Sequence, residues 1–373
     1  MRILFVSTVM AHQTHGPSRK LMLLRRALAT RHDVELRVLT EDPHPDYPHD
    51  YVEHLRYPRA LEPASKLLRA YRYWRRARAI HSEWAYDHLV FNDGPKALVA
   101  VHADRPRGVE VVAMVNDDDN VDRGFRQNES RKRYFWRRAM SWIERRVCHR
   151  ADRTITCSAY LSARLHTGYR LAEAPAVLHP ALDLAEWTED RQRAPADRPE
   201  VLFVKSDPIR GGLRDLLQAL ATPVLSGRVG RLHLGGFSPE RYPEEVAMAR
   251  TLDTEVLLHG RLTRDRLRAL AYECHVGVVA SRHEAFGITA REFVAAGLHT
   301  VVSTAGGLPE ACAGYAVHAF RPGDVASLTA ALHAALGAAT QGAPLPTVPA
   351  AYGHEEMATR FVRLLRDGRT TGA

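Results

Sequence analysis

The sequence predicts an α/β protein made of two doubly wound, Rossmann-like domains that face each other across a cleft. Compact apolar runs, typical of parallel strands buried on both faces, alternate with helical segments along the chain. This alternation stops at a polar, proline-bearing stretch and then restarts. The length of 373 residues also corresponds to about two ordinary domains. We therefore predict a first domain at 1–185, a linker at 186–199 and a second domain at 200–350.

The first domain is predicted to contain five strands with helices between them. The strands are Ile3–Val9, Val34–Thr40, His88–Asn92, Val109–Val115 and Arg153–Cys157. The first run is too short for the core of a signal peptide and precedes a helical pattern, so we interpret it as a buried strand. Pro17–Thr30 opens with proline, which is favoured in a first helical turn. Apolar residues at helical spacing predict two more helices, Ala64–Ile80 and Arg131–Val147.

The second domain repeats the pattern. Its predicted strands are Val201–Val204, Leu232–Leu234, Glu255–His259, Val276–Ala280, Thr300–Ser303 and Ala316–Phe320. In such a fold, ligands bind at the carboxyl ends of the strands. A last helix, about 352–367, follows a proline-rich stretch, and we expect it to pack back on the first domain.

The chain is basic, with 52 Lys and Arg against 43 Asp and Glu, a net charge of +9 and a pI near 9.6. This favours an anionic partner, which could be nucleic acid, a membrane surface or a phosphorylated small molecule. Nearly all the basic residues are arginine, as in proteins from GC-rich genomes, so part of the excess is background. No run approaches the 18 or more apolar residues of a membrane span. The four scattered cysteines contain no Cys-x-x-Cys pair, which indicates a reducing compartment, and we expect a cytoplasmic protein.

The most specific motif lies at 281–292, where two carboxylates flank a glycine at the start of a helix. Glu284 lies in the loop after a strand, Gly287 opens the helix and Glu292 follows about one turn later. Amide N–H groups at a helix N-terminus bind phosphate, and carboxylates accept hydrogen bonds from paired sugar hydroxyls. Two cations, Lys205 and Arg210, flank the turn after the first strand of the same domain and would neutralise a diphosphate.

These residues resemble the retaining nucleotide-sugar glycosyltransferases of family 4, which have the GT-B fold. The paired glutamates match the Glu-x7-Glu motif of that family, and Gly306-Gly307-Leu308-Pro309-Glu310 follows it. The similarity extends to His259-Gly260-Arg261 and, in the first domain, to His15-Gly16. It covers nearly the whole chain, strongly in 200–312 and weakly in 42–150.

The resemblance implies a role for each residue. Glu292 would bind the ribose and Glu284 the transferred sugar. Amide groups of Phe286, Gly287 and Ile288 would face the sugar and the distal phosphate, with Gly16 and Arg261 completing the donor site. Lys205 and Arg210 would hold the diphosphate as leaving group, so that no metal ion or cofactor is required.

The implied reaction transfers a hexosyl or N-acetylhexosaminyl group to an acceptor hydroxyl with retention of configuration. The donor would be a UDP-sugar, with a GDP-sugar as the alternative. The acceptor would be a small molecule or lipid-linked, and nucleic acid is not expected because no motif supports it. A nucleotide-sugar epimerase of the same fold is the alternative function. A dehydrogenase is disfavoured because the first glycine loop lacks Gly-x-Gly-x-x-Gly.

The acceptor side departs from the family pattern. Where the family often has a histidine, this chain reads Val115-Asn116-Asp117-Asp118-Asp119-Asn120. We assign Asn116, Asp117 and His15 to the acceptor side. For the acidic run three interpretations stay open: an aspartate that orients the acceptor hydroxyl, an ordinary polar turn, or the Asp-x-Asp metal motif of the other glycosyltransferase fold.

Two arginine-rich helices also carry aromatic residues, at 64–84 and 131–150. One interpretation is peripheral contact with an anionic membrane at the inner face. The other is an ordinary helix, with its aromatic side chains in the core and its arginines in water.

Overall fold

The structure is a computed structural model that describes residues 1–8, 16–41, 50–51, 62–121, 130–187, 194–343 and 352–367. The chain divides into two compact units. The first comprises 1–181 together with the C-terminal segment from residue 354, and the second comprises 182–353.

The first unit is a seven-stranded parallel sheet with helices on both faces. Its strands are β1 Arg2–Ser7, β2 Glu35–Thr40, β3 Asp50–Tyr51, β4 His88–Phe91, β5 Glu110–Val115, β6 Arg153–Thr156 and β7 Ala176–Val177. Its helices in this part of the chain are α1 Gly16–Leu28, α2 Glu62–Glu83, α3 Arg131–Arg150 and α4 Ala159–Tyr169. The strand order is β3-β2-β1-β4-β5-β6-β7.

The second unit is a six-stranded parallel sheet in the order β10-β9-β8-β11-β12-β13. Its strands are β8 Val201–Val204, β9 Arg231–Gly235, β10 Glu255–Gly260, β11 Val276–Val279, β12 His299–Ser303 and β13 His318–Phe320. Its helices are α5 Leu213–Leu220, α6 Pro243–Ala249, α7 Arg264–Glu273, α8 Ile288–Ala295, α9 Leu308–Ala311 and α10 Val325–Thr340. The α/β class with two doubly wound sheets is confirmed.

Four helices begin at residues whose side chains accept a hydrogen bond from an amide of the first turn. These residues are Ser130, Ser158, Thr263 and Asp324. Such caps satisfy amides that have no partner within the helix, so helix starts are encoded locally.

The last helix, α11 His354–Arg366, belongs to the first unit. Its apolar face lies in the same core cluster as β1 and α1. The ring of Phe361 lies 6.3 Å from that of Phe5 between centroids, and Arg366 Nη2 donates to Asp33 Oδ2 at 2.6 Å. Burial of this face holds the C-terminal helix on the first sheet.

The structure differs from the sequence prediction at three points. The two-residue edge strands β3 and β7 are additional, because two residues carry no periodicity that a pattern can detect. The division between units falls after Ala181, and Trp187, inside the predicted linker, is buried in the core of the second unit. On the arginine-rich helices, Tyr73 is buried, but Phe135 and Trp142 are exposed.

No helix in the described part of the chain is both long and apolar enough to cross a bilayer.

We predict that Phe361→Ala lowers the free energy of unfolding by about 3–5 kcal/mol, because it empties a fully buried aromatic site. Urea denaturation followed by circular dichroism measures the change. Arg363→Ala, on the exposed face of the same helix, is the control and should change stability by less than about 0.5 kcal/mol. Equal effects of the two substitutions would contradict the packing described for α11.

Candidate active site

The predicted donor residues of the second unit meet where the strand order reverses, between β8 and β11. Lys205 directly follows β8, and the loop carrying Glu284 follows β11. The Lys205 ammonium forms an ion pair with Glu284 Oε2, which also accepts the hydroxyl proton of Ser281 at 3.1 Å. Both side chains are partly exposed, so their charges stay accessible to a ligand. Helices diverge to opposite faces of the sheet at this boundary, which makes it the expected ligand site.

The glycine of the motif starts α8 and packs against the first residue of α9. Gly287 has φ 107°, in the left-handed region that favours glycine. A Cβ there would lie 2.4 Å from the side chain of Leu308. The Ala290 amide donates to the Gly287 carbonyl at 3.1 Å. The amides before it are the first of α8 and lie at the positive end of the helix dipole. A phosphate group could bind them there.

The loop that carries Arg210 lies against the same strand end. Gly212 has φ 75°, and a Cβ there would lie 2.0 Å from the carbonyl oxygen of Ala280, so only glycine fits. The carbonyl of Arg210 accepts a hydrogen bond from the Arg282 amide at 3.0 Å. The structure therefore brings the backbone of Arg210 beside the loop of Glu284.

Glu292 is held by a residue that the sequence analysis did not identify. Its carboxylate is buried, and Arg264 Nη1 donates to Glu292 Oε1 at 2.9 Å. The same guanidinium donates to Glu186 Oε2, from Nε at 2.7 Å, and lies 5.4 Å from the ring centroid of Trp187. Arg264 therefore joins α8 to the segment that enters the second unit. No sequence signal pointed to this pairing, since Asp265 already places a carboxylate in the first turn of α7, and Glu292 lies 28 positions further along the chain.

A second arginine, Arg291, contacts the loop that carries Phe286. Arg291 is buried, with its guanidinium 4.4 Å from the ring centroid of Phe286 and 3.9 Å from that of Tyr352. Its Nε donates to the carbonyl of Ala311 at 2.8 Å. Burial lowers the pKa of Arg291 to about 10, so the side chain stays charged at neutral pH. The cation–π contact with Arg291 holds the ring of Phe286, whose amide is a predicted sugar-facing donor.

The first unit contains a cavity of about 510 Å³ at the carboxyl ends of its central strands. Predicted acceptor residues Asn116 and Asp117 line it, and strand order reverses there as well, between β1 and β4. The other lining residues are Ser7, Thr8, Pro17, Ser18, Asn92, Asp93, Gly94, Pro95, Lys96, Met114, Val115, Asp119, Asn120, Arg133, Trp136, Arg137, Met140 and Glu144. Sequence reasoning missed the contribution of α3, although Glu144 is the single acidic residue of that basic helix.

Two carboxyl groups of this cavity hold their protons more tightly than usual. Burial raises the pKa of Glu144 to about 8, while Tyr169 Oη donates to its Oε1 at 2.7 Å. Asp117 is exposed and lines the cavity. Desolvation and the neighbouring charge of Asp119 raise its pKa to about 6. Nearby, Lys20 Nζ donates to Asn116 Oδ1 at 2.6 Å, and burial lowers the pKa of Lys20 to about 8.

Three predicted residues stand apart from these contacts. His15 lies outside the described residues. Gly16 is the first residue of α1, in the first unit. Arg261 is exposed in the turn that follows β10. Their assignment to the donor or acceptor site stays a prediction.

Among the described residues, one group has ligand atoms close enough together for a metal ion: Glu200, His233 and Cys274, within 4.8 Å of one another. His233 contacts Glu200 Oε2 at 3.0 Å and His259 Nε2 at 3.1 Å. His259 can donate to His233, and His233 can donate to Glu200. The polar contacts of the two histidines with each other and with Glu200 are then satisfied without a metal ion. Desolvation by burial lowers the pKa of both histidines, which keeps them neutral. Arg231 Nε also donates to Glu200 Oε1 at 2.9 Å, so this carboxylate is already neutralised. We interpret Glu200, His233 and His259 as a hydrogen-bonded network.

Both units match glycosyltransferase families in sequence. Residues 15–186 match the model of Glycosyltransferase Family 4, and residues 198–337 match the model of Glycosyl transferases group 1. Glycogen synthase of Mycobacterium tuberculosis is 30% identical over 207 residues, which are 52% of this chain and 47% of that protein. The chain thus aligns with about half the length of the curated relative.

Two solved structures share the fold over nearly the whole chain. Sucrose-phosphate synthase from Thermosynechococcus elongatus has a TM-score of 0.72 at 20% identity, covering 98% of both chains. HepE of Anabaena, in complex with UDP and glucose, has a TM-score of 0.66 at 16% identity, covering 98% of this chain and 100% of that one. The fold of this chain is therefore GT-B.

We predict that Arg264→Met destabilises the protein by about 3–5 kcal/mol, because it leaves the buried Glu292 carboxylate without its cation. Urea denaturation measures the effect. Adding Glu292→Gln should recover a large part of the loss, since the unpaired charge is then removed. Arg266→Met is the matched control: this arginine pairs with Glu273 in an exposed ion pair worth at most about 1 kcal/mol. An Arg264→Met protein as stable as Arg266→Met would contradict the proposed pairing.

We predict that Glu144 makes the protein less stable as the pH rises from its ordinary pKa near 4.5 to about 8. Over this range the unfolded chain releases the proton while the folded chain keeps it. The folded state binds more protons, so the free energy of unfolding falls with rising pH. Glu144→Gln, which resembles the protonated side chain, should flatten the profile.

Urea denaturation at intervals between pH 5 and pH 9 measures both proteins. Glu83→Gln, at the exposed end of α2, is the control and should keep the wild-type profile. If Glu144→Gln also keeps that profile, Glu144 is not protonated in the folded protein.

Proposed function

We propose that this chain, which is related to glycosyltransferases over both of its units, transfers a sugar from a nucleoside-diphosphate sugar to an acceptor hydroxyl. One observation carries the proposal: Lys205 and Glu284 meet at the strand boundary of the second unit, beside the amino end of α8. A cation, a carboxylate and the amino end of a helix at one strand end suit a ligand that has both phosphate and hydroxyl groups.

In this proposal, binding of the donor breaks the ion pair between Lys205 and Glu284. The Lys205 ammonium would turn from Glu284 to the diphosphate, and the released carboxylate would accept hydrogen bonds from the sugar hydroxyls. Glu292 would accept from the ribose hydroxyls while Arg264 holds its orientation through Oε1. Because Lys205 and Glu284 neutralise each other before binding, neither charge is left alone in the partly buried site.

We assign the leaving-group role to Lys205 and Arg210. As the bond between the anomeric carbon and the phosphate oxygen breaks, negative charge grows on the diphosphate, and two nearby cations stabilise it. The bond to the acceptor oxygen would form on the same face of the sugar, and the acceptor proton would pass to a phosphate oxygen. Configuration is then retained, and the two cations supply the charge that a metal ion would otherwise supply. Membership of family 4 and this retaining course rest on the motif of Glu284 and Glu292.

We assign the acceptor to the cavity of the first unit, near Asn116 and Asp117. The cavity offers both carboxylates and amides, which suit a hydroxylated acceptor. For the donor we propose a UDP-linked hexose or N-acetylhexosamine, in line with the UDP and glucose bound to HepE. The alternative donor is a GDP-linked sugar, and a binding assay with UDP and GDP distinguishes the two.

We predict that UDP binds the wild-type protein and that Lys205→Ala and Arg210→Ala each weaken binding about tenfold or more, since each removes a cation from the diphosphate. Glu292→Gln should weaken UDP binding through the ribose. Isothermal titration calorimetry with UDP and GDP measures the affinities, and release of UDP from UDP-glucose measures turnover.

Arg250→Ala, at an exposed position of the same unit, is the control and should bind as the wild type does. If neither nucleotide binds, or if all three variants bind like Arg250→Ala, the donor site is assigned wrongly.

A further inference from the structure

Exposed apolar side chains concentrate on two neighbouring helices of the first unit. Seven large hydrophobic residues stand out as exposed in the described part of the chain. Five of them lie on α2 and α3: Leu67, Leu68, Tyr71, Phe135 and Trp142. A chance scatter would distribute them over both units, and clustered exposed apolar groups mark interaction surfaces.

The two side chains on α3 share one face of the helix. Phe135 is 68% exposed and Trp142 is 56% exposed, and their spacing of seven residues is two helical turns. Arg131 and Arg138 are exposed on the same face, while the Arg146 guanidinium lies 4.8 Å from the ring centroid of Trp142. The face therefore alternates aromatic rings with positive charge.

Helix α2 adds to the same surface. Both helices pack on the short 3-10 helix at 94–97 and contribute side chains to one core cluster of the first unit. The exposed flank of α2 carries Leu67, Leu68 and Tyr71 followed by Arg75 and Arg78. We call the exposed flanks of α2 and α3 together the aromatic–basic face.

We propose that the aromatic–basic face docks on an anionic lipid bilayer. Aromatic and leucine side chains enter the interface between head groups and acyl chains, while arginines bind the lipid phosphates. Charge complementarity favours this partner, because the single acidic residue of α3, Glu144, is buried on the cavity side. A nucleic acid would use the arginines but would leave the leucines exposed to water.

The position of the cavity connects membrane docking to the reaction. This connection rests on the proposed function. The other side of α3 lines the cavity with Trp136, Arg137, Met140 and Glu144. One helix thus separates the proposed acceptor cavity from the proposed membrane surface. An acceptor held in the bilayer by an acyl chain would present its hydroxylated head group at the level of this cavity.

Vesicle co-sedimentation tests the proposal with the full chain. Vesicles of phosphatidylcholine with phosphatidylglycerol should bind the wild type at low salt, and pure phosphatidylcholine vesicles should bind it much less. Phe135→Ser and Trp142→Ser should each weaken binding about tenfold, and Arg138→Glu should weaken it on anionic vesicles. Val224→Ser, at an exposed apolar site of the second unit, is the matched control and should bind normally.

Four results would overturn the proposal. The first is a wild-type protein that does not bind anionic vesicles. The second is binding that survives in both aromatic variants. The third is light scattering that shows a dimer which the same variants dissociate, because the face would then join two copies. Tighter binding to a DNA duplex than to the vesicles, with the arginines needed and the aromatic residues not, would assign the face to nucleic acid instead.

UDP binding by Phe135→Ser and Trp142→Ser, measured separately, shows whether these proteins are folded. It also separates failure of the membrane proposal from failure of the donor site.

Discussion

The reversal of strand order in each sheet is the constraint on which both candidate sites depend. In the first unit the order reverses between β1 and β4, and in the second between β8 and β11. Consecutive helices leave such a boundary on opposite faces of the sheet, so a gap remains at the carboxyl ends of the two strands. Polar residues that follow these strands must line the gap. Lys205 and Glu284 do so in the second unit, and Asn92 and Asp93 do so in the first.

Charge in the second unit is organised as pairs. Lys205 with Glu284 and Arg264 with Glu292 place opposite charges together where solvent is partly excluded. A lone charge in such a place costs several kcal/mol, so each pair holds its members ready for a ligand that can exchange with one of them. The pairs differ in exposure: Lys205 and Glu284 remain accessible, whereas Glu292 is buried and keeps Arg264 as a fixed neighbour. Exchange is therefore expected at the first pair and orientation at the second.

Helix α3 presents different side chains on its two sides. One side carries Glu144 into the cavity, and the other exposes Phe135 and Trp142 beside arginines. This arrangement also divides the net charge of +9 between distinct surroundings. Lys205 and Arg210 belong to the proposed donor site, while the arginines of α2 and α3 form a surface of their own.

The sequence by itself determined eleven of the thirteen described strands and the spacing of Glu284, Gly287 and Glu292, because periodicity and motif spacing act over a few neighbouring residues. Its predicted α/β fold and glycosyltransferase relationship are confirmed. Only the tertiary structure decided that Arg264 pairs with Glu292, that Glu144 enters the cavity and that Phe135 and Trp142 face solvent rather than the core. Each of these depends on which face of a helix packs on the sheet, or on contacts between residues far apart in the chain. When a basic helix has apolar residues on more than one face, its sequence pattern does not indicate which face is buried.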